Sequence, residues 1–108
     1  MKLLTKQIEK KLQANSLATD LDHKPVVKLF NPCGAATWLI TEIDEDGIMF
    51  GLCDLGFGSP ELGYVALSEL HDVQLPFGLK IERDLHFKAT QTITEYADEA
   101  RIHGEIAA

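Results

Sequence analysis

The chain is short of cysteine, of long apolar runs and of positive charge, and each shortage removes a class of protein. Its two cysteines, Cys33 and Cys53, stand twenty residues apart with no C-x-x-C partner. That spacing fits neither a zinc ribbon nor a thioredoxin-type pair. Both are expected as free, buried thiols, with a disulfide between them as the formal alternative. Apolar runs such as Pro25 to Phe30 fall far short of the ~20 residues that span a bilayer. The opening MKLLTKQIEKKL carries lysines throughout and lacks an apolar stretch leading to a small-residue cleavage site, which argues against a signal peptide. The expectation is therefore a cytoplasmic protein without a membrane partner.

Ten Lys and Arg against seventeen Asp and Glu leave a net charge of −7 over 108 residues. The imbalance is uneven. Residues 1–28 hold six lysines against three acids, a balance of +3, whereas residues 29–108 hold four basic groups against fourteen acids, a balance of −10. An acidic body repels a phosphate backbone, so nucleic-acid binding through it is disfavoured. The length predicts a single domain over 1–108, and 45% hydrophobic residues are enough for a core.

Periodicity predicts an α+β domain, mainly an antiparallel sheet with an N-terminal and a C-terminal helix. Leu4, Ile8 and Leu12 recur every four positions while Lys2, Lys6 and Lys10 fall opposite, the pattern of an amphipathic helix with a solvated lysine face. Asn15 and Ser16 weaken it, and the polar stretch from Asp20 to Pro25 is a surface connection. Strand-like runs follow at Val26–Phe30, Thr37–Ile43 and Ile48–Cys53. Asp44 to Gly47 favours a hairpin between the second and third. Neither alternating set of the third run carries charge, so that strand is expected to be central and covered on both faces. After the glycine-rich loop 56–63 come a short strand at Tyr64–Leu67 and a turn or helix that Ser68 could cap. The run Leu79–Lys88 alternates as a strand. Thr92 with Glu95 is a capping box for a closing helix along Ile93, Tyr96, Ala97 and Ala100, stopped at Gly104.

Under strand geometry Leu79–Lys88 places Arg83 among Leu79, Ile81, Leu85 and Phe87, and Glu82, Asp84 and His86 together on the other face. A guanidinium on an apolar face needs a carboxylate or several carbonyls as an internal tie, and the alternatives are a bound anionic ligand or partner carboxylate, or a bulge that turns Arg83 to solvent. Glu42, Asp54, Glu61 and Glu69 are the carboxylates available. Glu82, Asp84 and His86 form a set capable of metal or acid–base chemistry, but an exposed face paired with Lys80 and Lys88 accounts for them equally. Other sites fail on spacing. The twelfth position from Asp44 is Leu55, where a calcium loop needs glutamate. Gly56, Gly58 and Gly63 lack phosphate-loop spacing, and Ser59 lacks a nucleophile elbow. His71 beside Asp72 fits a surface pair. Trp38 and Tyr64 suit a binding surface or the core. No cofactor or metal is expected.

The segments VVKLF (26–30), ATWLITE (36–42), FGLCDLGFGSPELGY (50–64), LSEL (67–70), IERDLHF (81–87) and YADEAR (96–101), in that order, resemble the domain-of-unknown-function family 2958. The chain departs from it in a short connection before Val26 and in Ala89 where proline is usual. The resemblance implies a bacterial setting on plasmids and other mobile elements, and it carries over no established activity. If the family shares a binding surface, it implies Trp38, Glu61, Tyr64, Arg83, Asp84 and His86 as positions on it.

The leading expectation is a non-enzymatic protein-interaction module, an accessory factor of a mobile element, acting through a sheet face or the loop 56–63. The alternatives are an acidic inhibitor of host defence that mimics DNA, and a metal-assisted hydrolase using Glu82, Asp84 and His86. Docking of the basic helix on the acidic body of a second copy would make a homo-oligomer.

Overall fold

A computed structural model of the protein describes residues 2–108. The first helix, α1 (Lys6–Ser16), begins where Thr5 Oγ1 accepts the Ile8 N–H at 3.1 Å. The cap frees Leu3 and Leu4 from helical geometry, and both are buried beside Leu12. Four strands follow, β1 (Val27–Phe30), β2 (Thr37–Ile43), β3 (Ile48–Asp54) and β4 (Glu61–Ala66), then α2 (Leu67–Asp72), a 3₁₀ turn at Pro76–Gly78, β5 (Glu82–Arg83) and α3 (Ile93–His103). The sheet order is β4-β3-β2-β1-β5, with every pair antiparallel. β2 is the middle strand, and β3, beside it, is interior as expected.

Both sheet faces are covered, but unequally. On one face Leu12 of α1 and Leu70 of α2 bury Val27, Leu29, Trp38, Ile40, Ile43 and Met49. On the other, α3 lays Ile93, Tyr96, Ala97 and Ala100 against Leu39, Leu52 and Leu62. The two alanines let the helix backbone approach the strands closely. β3 contributes Met49 and Cys53 to the first layer and Leu52 to the second, as its uncharged sequence predicted. α3 lies over β3 and β4, reaching β2 at Leu39, and grooves open on the β1–β5 side and at the β2–β3 hairpin end of its face.

Local chemistry sets the boundaries. In the hairpin, Asp44 Oδ1 accepts the N–H groups of Asp46 and Ile48, both at 2.9 Å, and Gly47 supplies the left-handed position at φ 78°. The capping box at α3 forms, Glu95 Oε1 accepting the Thr92 N–H at 2.9 Å, and this bond holds the Glu95 carboxyl below its usual range. Asp22, from the crossing between α1 and β1, accepts the Thr94 N–H at 3.2 Å and the Thr94 hydroxyl, and the hydroxyl bond lowers its pKa. Asp54, buried at the end of β3, accepts from Gly56 N–H at 2.9 Å and Ile106 N–H at 3.0 Å, clamping a loop and the segment beyond α3.

Four expectations are corrected. The run Leu79–Lys88 is not a strand: only Glu82 and Arg83 pair with β1, because the Asp84 side chain accepts the His86 N–H at 2.8 Å and turns the chain. Phe87 therefore packs with the α3 layer, while Ile81 packs with the α1 layer. Ser68 caps nothing; Ala66 stands at the N-cap of α2 without a side-chain bond. The strand expected at Tyr64–Leu67 is β4, and it begins at Glu61 and ends at Ala66. Cys33 is exposed rather than buried; both thiols are free, and half-burial pushes the Cys53 thiol up. No helix among the described residues is long and apolar enough to cross a membrane.

Candidate functional site

The six positions implied by the family resemblance fall in three places. Trp38 is 6% exposed in the α1 layer and is a core residue, so it lies on no surface. Arg83, Asp84 and His86 line an open groove of about 520 Å³ on the β1–β5 side, with Glu82, Lys28 and Phe30. Glu61 and Tyr64 lie on β4, at the opposite edge of the sheet.

In the β1–β5 groove most of the polar groups are spent on the fold. Arg83 Nη1 donates to the carbonyls of Lys2 at 2.7 Å and Leu3 at 3.0 Å, so the guanidinium ties the segment before α1 to the sheet edge. Two carbonyls thus meet the need for which four carboxylates were candidates. Asp84 Oδ2 stands 3.6 Å from Lys28 Nζ, and its other oxygen holds the turn. Glu82, Asp84 and His86 do share the groove, although not as one strand face. Among the described residues no group of three His, Cys, Asp or Glu side chains is placed to hold a metal ion. His71 and Asp72 pair at 3.2 Å on the surface, as expected.

At the other edge β4 pairs along its whole length with β3, from Cys53↔Glu61 to Ile48↔Ala66, and has no strand beyond it among the described residues. Leu67 N–H bonds the Gly47 carbonyl at 2.9 Å. Antiparallel alternation then directs the backbone groups of Glu61, Gly63 and Val65 to β3 and those of Leu62, Tyr64 and Ala66 outward. β4 contains no lysine, proline or bulge, the features by which edge strands are ordinarily blunted. Tyr64 is 75% exposed and Phe57, in the adjoining loop, 86%.

A second groove, of about 470 Å³, opens at the hairpin end of the α3 face. Its floor is a row across three strands, Glu42 on β2, Phe50 on β3 and Tyr64 on β4. The row exists because of a β-bulge. The β2–β3 register shifts between Ile40 and Glu42, leaving Thr41 as the extra residue. Simple alternation would send Glu42 into the apolar layer with Trp38 and Ile40; the bulge sends Ile43 there and Glu42 to the groove. Thr41 is fully buried, its hydroxyl donating to the Phe50 carbonyl at 3.2 Å and its carbonyl accepting from Asn15 Nδ2 at 3.0 Å. Leu17 and Thr19 wall one side and the hairpin acids Asp44, Glu45 and Asp46 another. The Phe50 and Tyr64 rings lie 5.1 Å apart at 55°.

Glu42 presents its carboxylate to this groove. It is 8% exposed, yet its carboxylate takes part in no hydrogen bond or ion pair among the described residues. Burial pushes its pKa up, with His23 nearby partly opposing the shift. Sequence reasoning missed Glu42 and Phe50 as site residues. The available signal was a lone acid inside the otherwise uncharged run Thr37–Ile43.

The fold thus defines the class as a small α+β domain, with one antiparallel sheet between helical layers and open grooves at both ends of one face. More narrowly, the chain belongs to the family described as protein of unknown function (DUF2958), which it matches over residues 3–107. No curated protein and no solved structure matches it.

Proposed function

We propose that the chain is a non-enzymatic protein-binding module, an accessory factor of a mobile genetic element, that receives an extended segment of its partner along β4. The observation that carries this reading is the unblunted edge: the N–H and C=O groups of Leu62, Tyr64 and Ala66 face outward over a six-residue strand. Added-strand recognition draws affinity from such main-chain groups and specificity from neighbouring side chains, here Tyr64 and the exposed Phe57 and Leu55. The mobile-element setting rests on the family resemblance alone.

Tyr64→Pro tests the reading. It removes one outward N–H without touching a bond to β3, a position at which an edge strand accepts proline. Affinity capture from a host lysate with wild-type chain, Tyr64→Pro and Glu82→Gln should show a partner that Tyr64→Pro loses and Glu82→Gln keeps. Retention of the same partner by a folded Tyr64→Pro would refute the edge as the binding surface.

A further inference from the structure

The groove over Glu42, Phe50 and Tyr64 has the chemistry of a cation site, and we propose that it binds a guanidinium group, lodged against the two rings and bonded to the Glu42 carboxylate. Three observations converge on it. Glu42 is 8% exposed as a residue, and its carboxylate, which bonds to no group among the described residues, keeps its accessible surface in the groove lining, where desolvation favours an oppositely charged partner. The neighbouring residues in its row, Phe50 and Tyr64, are aromatic and line the groove, and aromatic rings attract cations through their quadrupole. The rim acids Asp44, Glu45 and Asp46 add negative field without a compensating lysine or arginine in the lining. A planar guanidinium satisfies all three, since it stacks on rings and forks onto a carboxylate; a compact, strongly hydrated ammonium stacks poorly.

The site shares the Tyr64 ring with the β4 edge but uses none of its outward main-chain groups. A strand added there would lie three strand spacings from β2, about 14 Å, beyond the reach of one arginine to Glu42. The guanidinium therefore enters from over the open face, and the inference stands or falls apart from the edge reading.

The probes are methylguanidinium, acetyl-Gly-Arg-Gly-amide and its neutral isostere acetyl-Gly-citrulline-Gly-amide, titrated into the full chain and followed by NMR. The arginine peptide should shift the Glu42, Phe50 and Tyr64 signals saturably, and the citrulline peptide should not. Glu42→Gln should weaken binding by about tenfold, the usual effect of losing a hydrogen bond to a charged group. Phe50→Leu, which keeps Glu42, should also weaken it, while Glu99→Gln, remote from the groove, should not. Equal affinity of methylguanidinium and the peptide would assign the site to a small free cation; tighter peptide binding would assign it to an arginine of a protein. Citrulline binding as well as arginine, or a folded Glu42→Gln binding unchanged, would overturn the proposal. So would shifts spread over the acidic surface without saturation in the row.

Discussion

Gly51→Ala should be among the most damaging small substitutions in this chain. A Cβ at position 51 would lie 1.9 Å from the Leu39 carbonyl oxygen and 2.9 Å from Ile40 Cα. Ordinary carbon–oxygen contacts begin near about 3.3 Å, so β2 and β3 must part by more than an ångström. The obstructing atoms are backbone, and no rotamer change relieves them. Gly51 has no positive φ, so the clash alone acts. Overpacking costs about 1–3 kcal/mol when side chains can yield; with backbone in the way the upper end, about 3 kcal/mol, applies. For a chain of this size that corresponds to a fall in Tm of about 12 °C. Its cross-strand neighbour supplies the control. Gly63 pairs with Gly51, but a Cβ there meets nothing within 4 Å, and Gly63→Ala should leave Tm unchanged or slightly raised. Thermal unfolding by circular dichroism reads both. A Gly51→Ala chain melting within about 3 °C of wild type would refute the close approach of the strands at the bulge.

Three other outcomes follow from the same geometry. Burial raises the Glu42 pKa, so ionising it opposes folding: its stabilising share is complete below the unfolded-state pKa and lost as pH rises through the folded one. Glu42→Gln should therefore raise the urea midpoint at neutral pH, with the gain vanishing in acid; an equal gain at both pH values would contradict it. Asp22 behaves oppositely. Its pKa is lowered, chiefly by the Thr94 hydroxyl, so its contribution exists above the unfolded-state pKa and disappears as pH falls through the folded one. Protection of the first-turn amides of α3, taken relative to the intrinsic exchange rate at each pH, should fall on acidification in wild type and be low throughout in Asp22→Ala. Arg83→Ala removes two charge-assisted bonds to backbone and should cost about 1.5–3 kcal/mol in urea unfolding, with faster exchange near α1; an unchanged midpoint would show that the tie carries no stability.

Much of the fold could be read from residue order. The bounds of β2, the capping box at Thr92 and Glu95, and the stop at Gly104 follow from local chemistry and stand where expected. What escaped either breaks the alternation locally or depends on contacts made elsewhere in the chain. Asp84 breaks its strand with its own side chain, a choice that alternation cannot register. Arg83 finds carbonyls of residues 2 and 3, which carry no sequence signature. Trp38 has the chemistry of a binding residue and the position of a core one. Glu42 was hidden by a single extra residue, because a bulge reverses the faces of every position after it. Thus the candidate groove was less legible than the sheet that carries it.

The bond between Asp22 and Thr94 spans 72 residues. As the chain leaves the ribosome, α1 and the hairpins can assemble from neighbours in sequence, but α3 has neither its cap nor its clamp until nearly all of the chain is present. Until then Leu39, Leu52 and Leu62 form a bare apolar sheet face. The last helix is thus a lid on a nascent aggregation surface, and a ribosome stalled before residue 93 would release a chain that chaperones must hold.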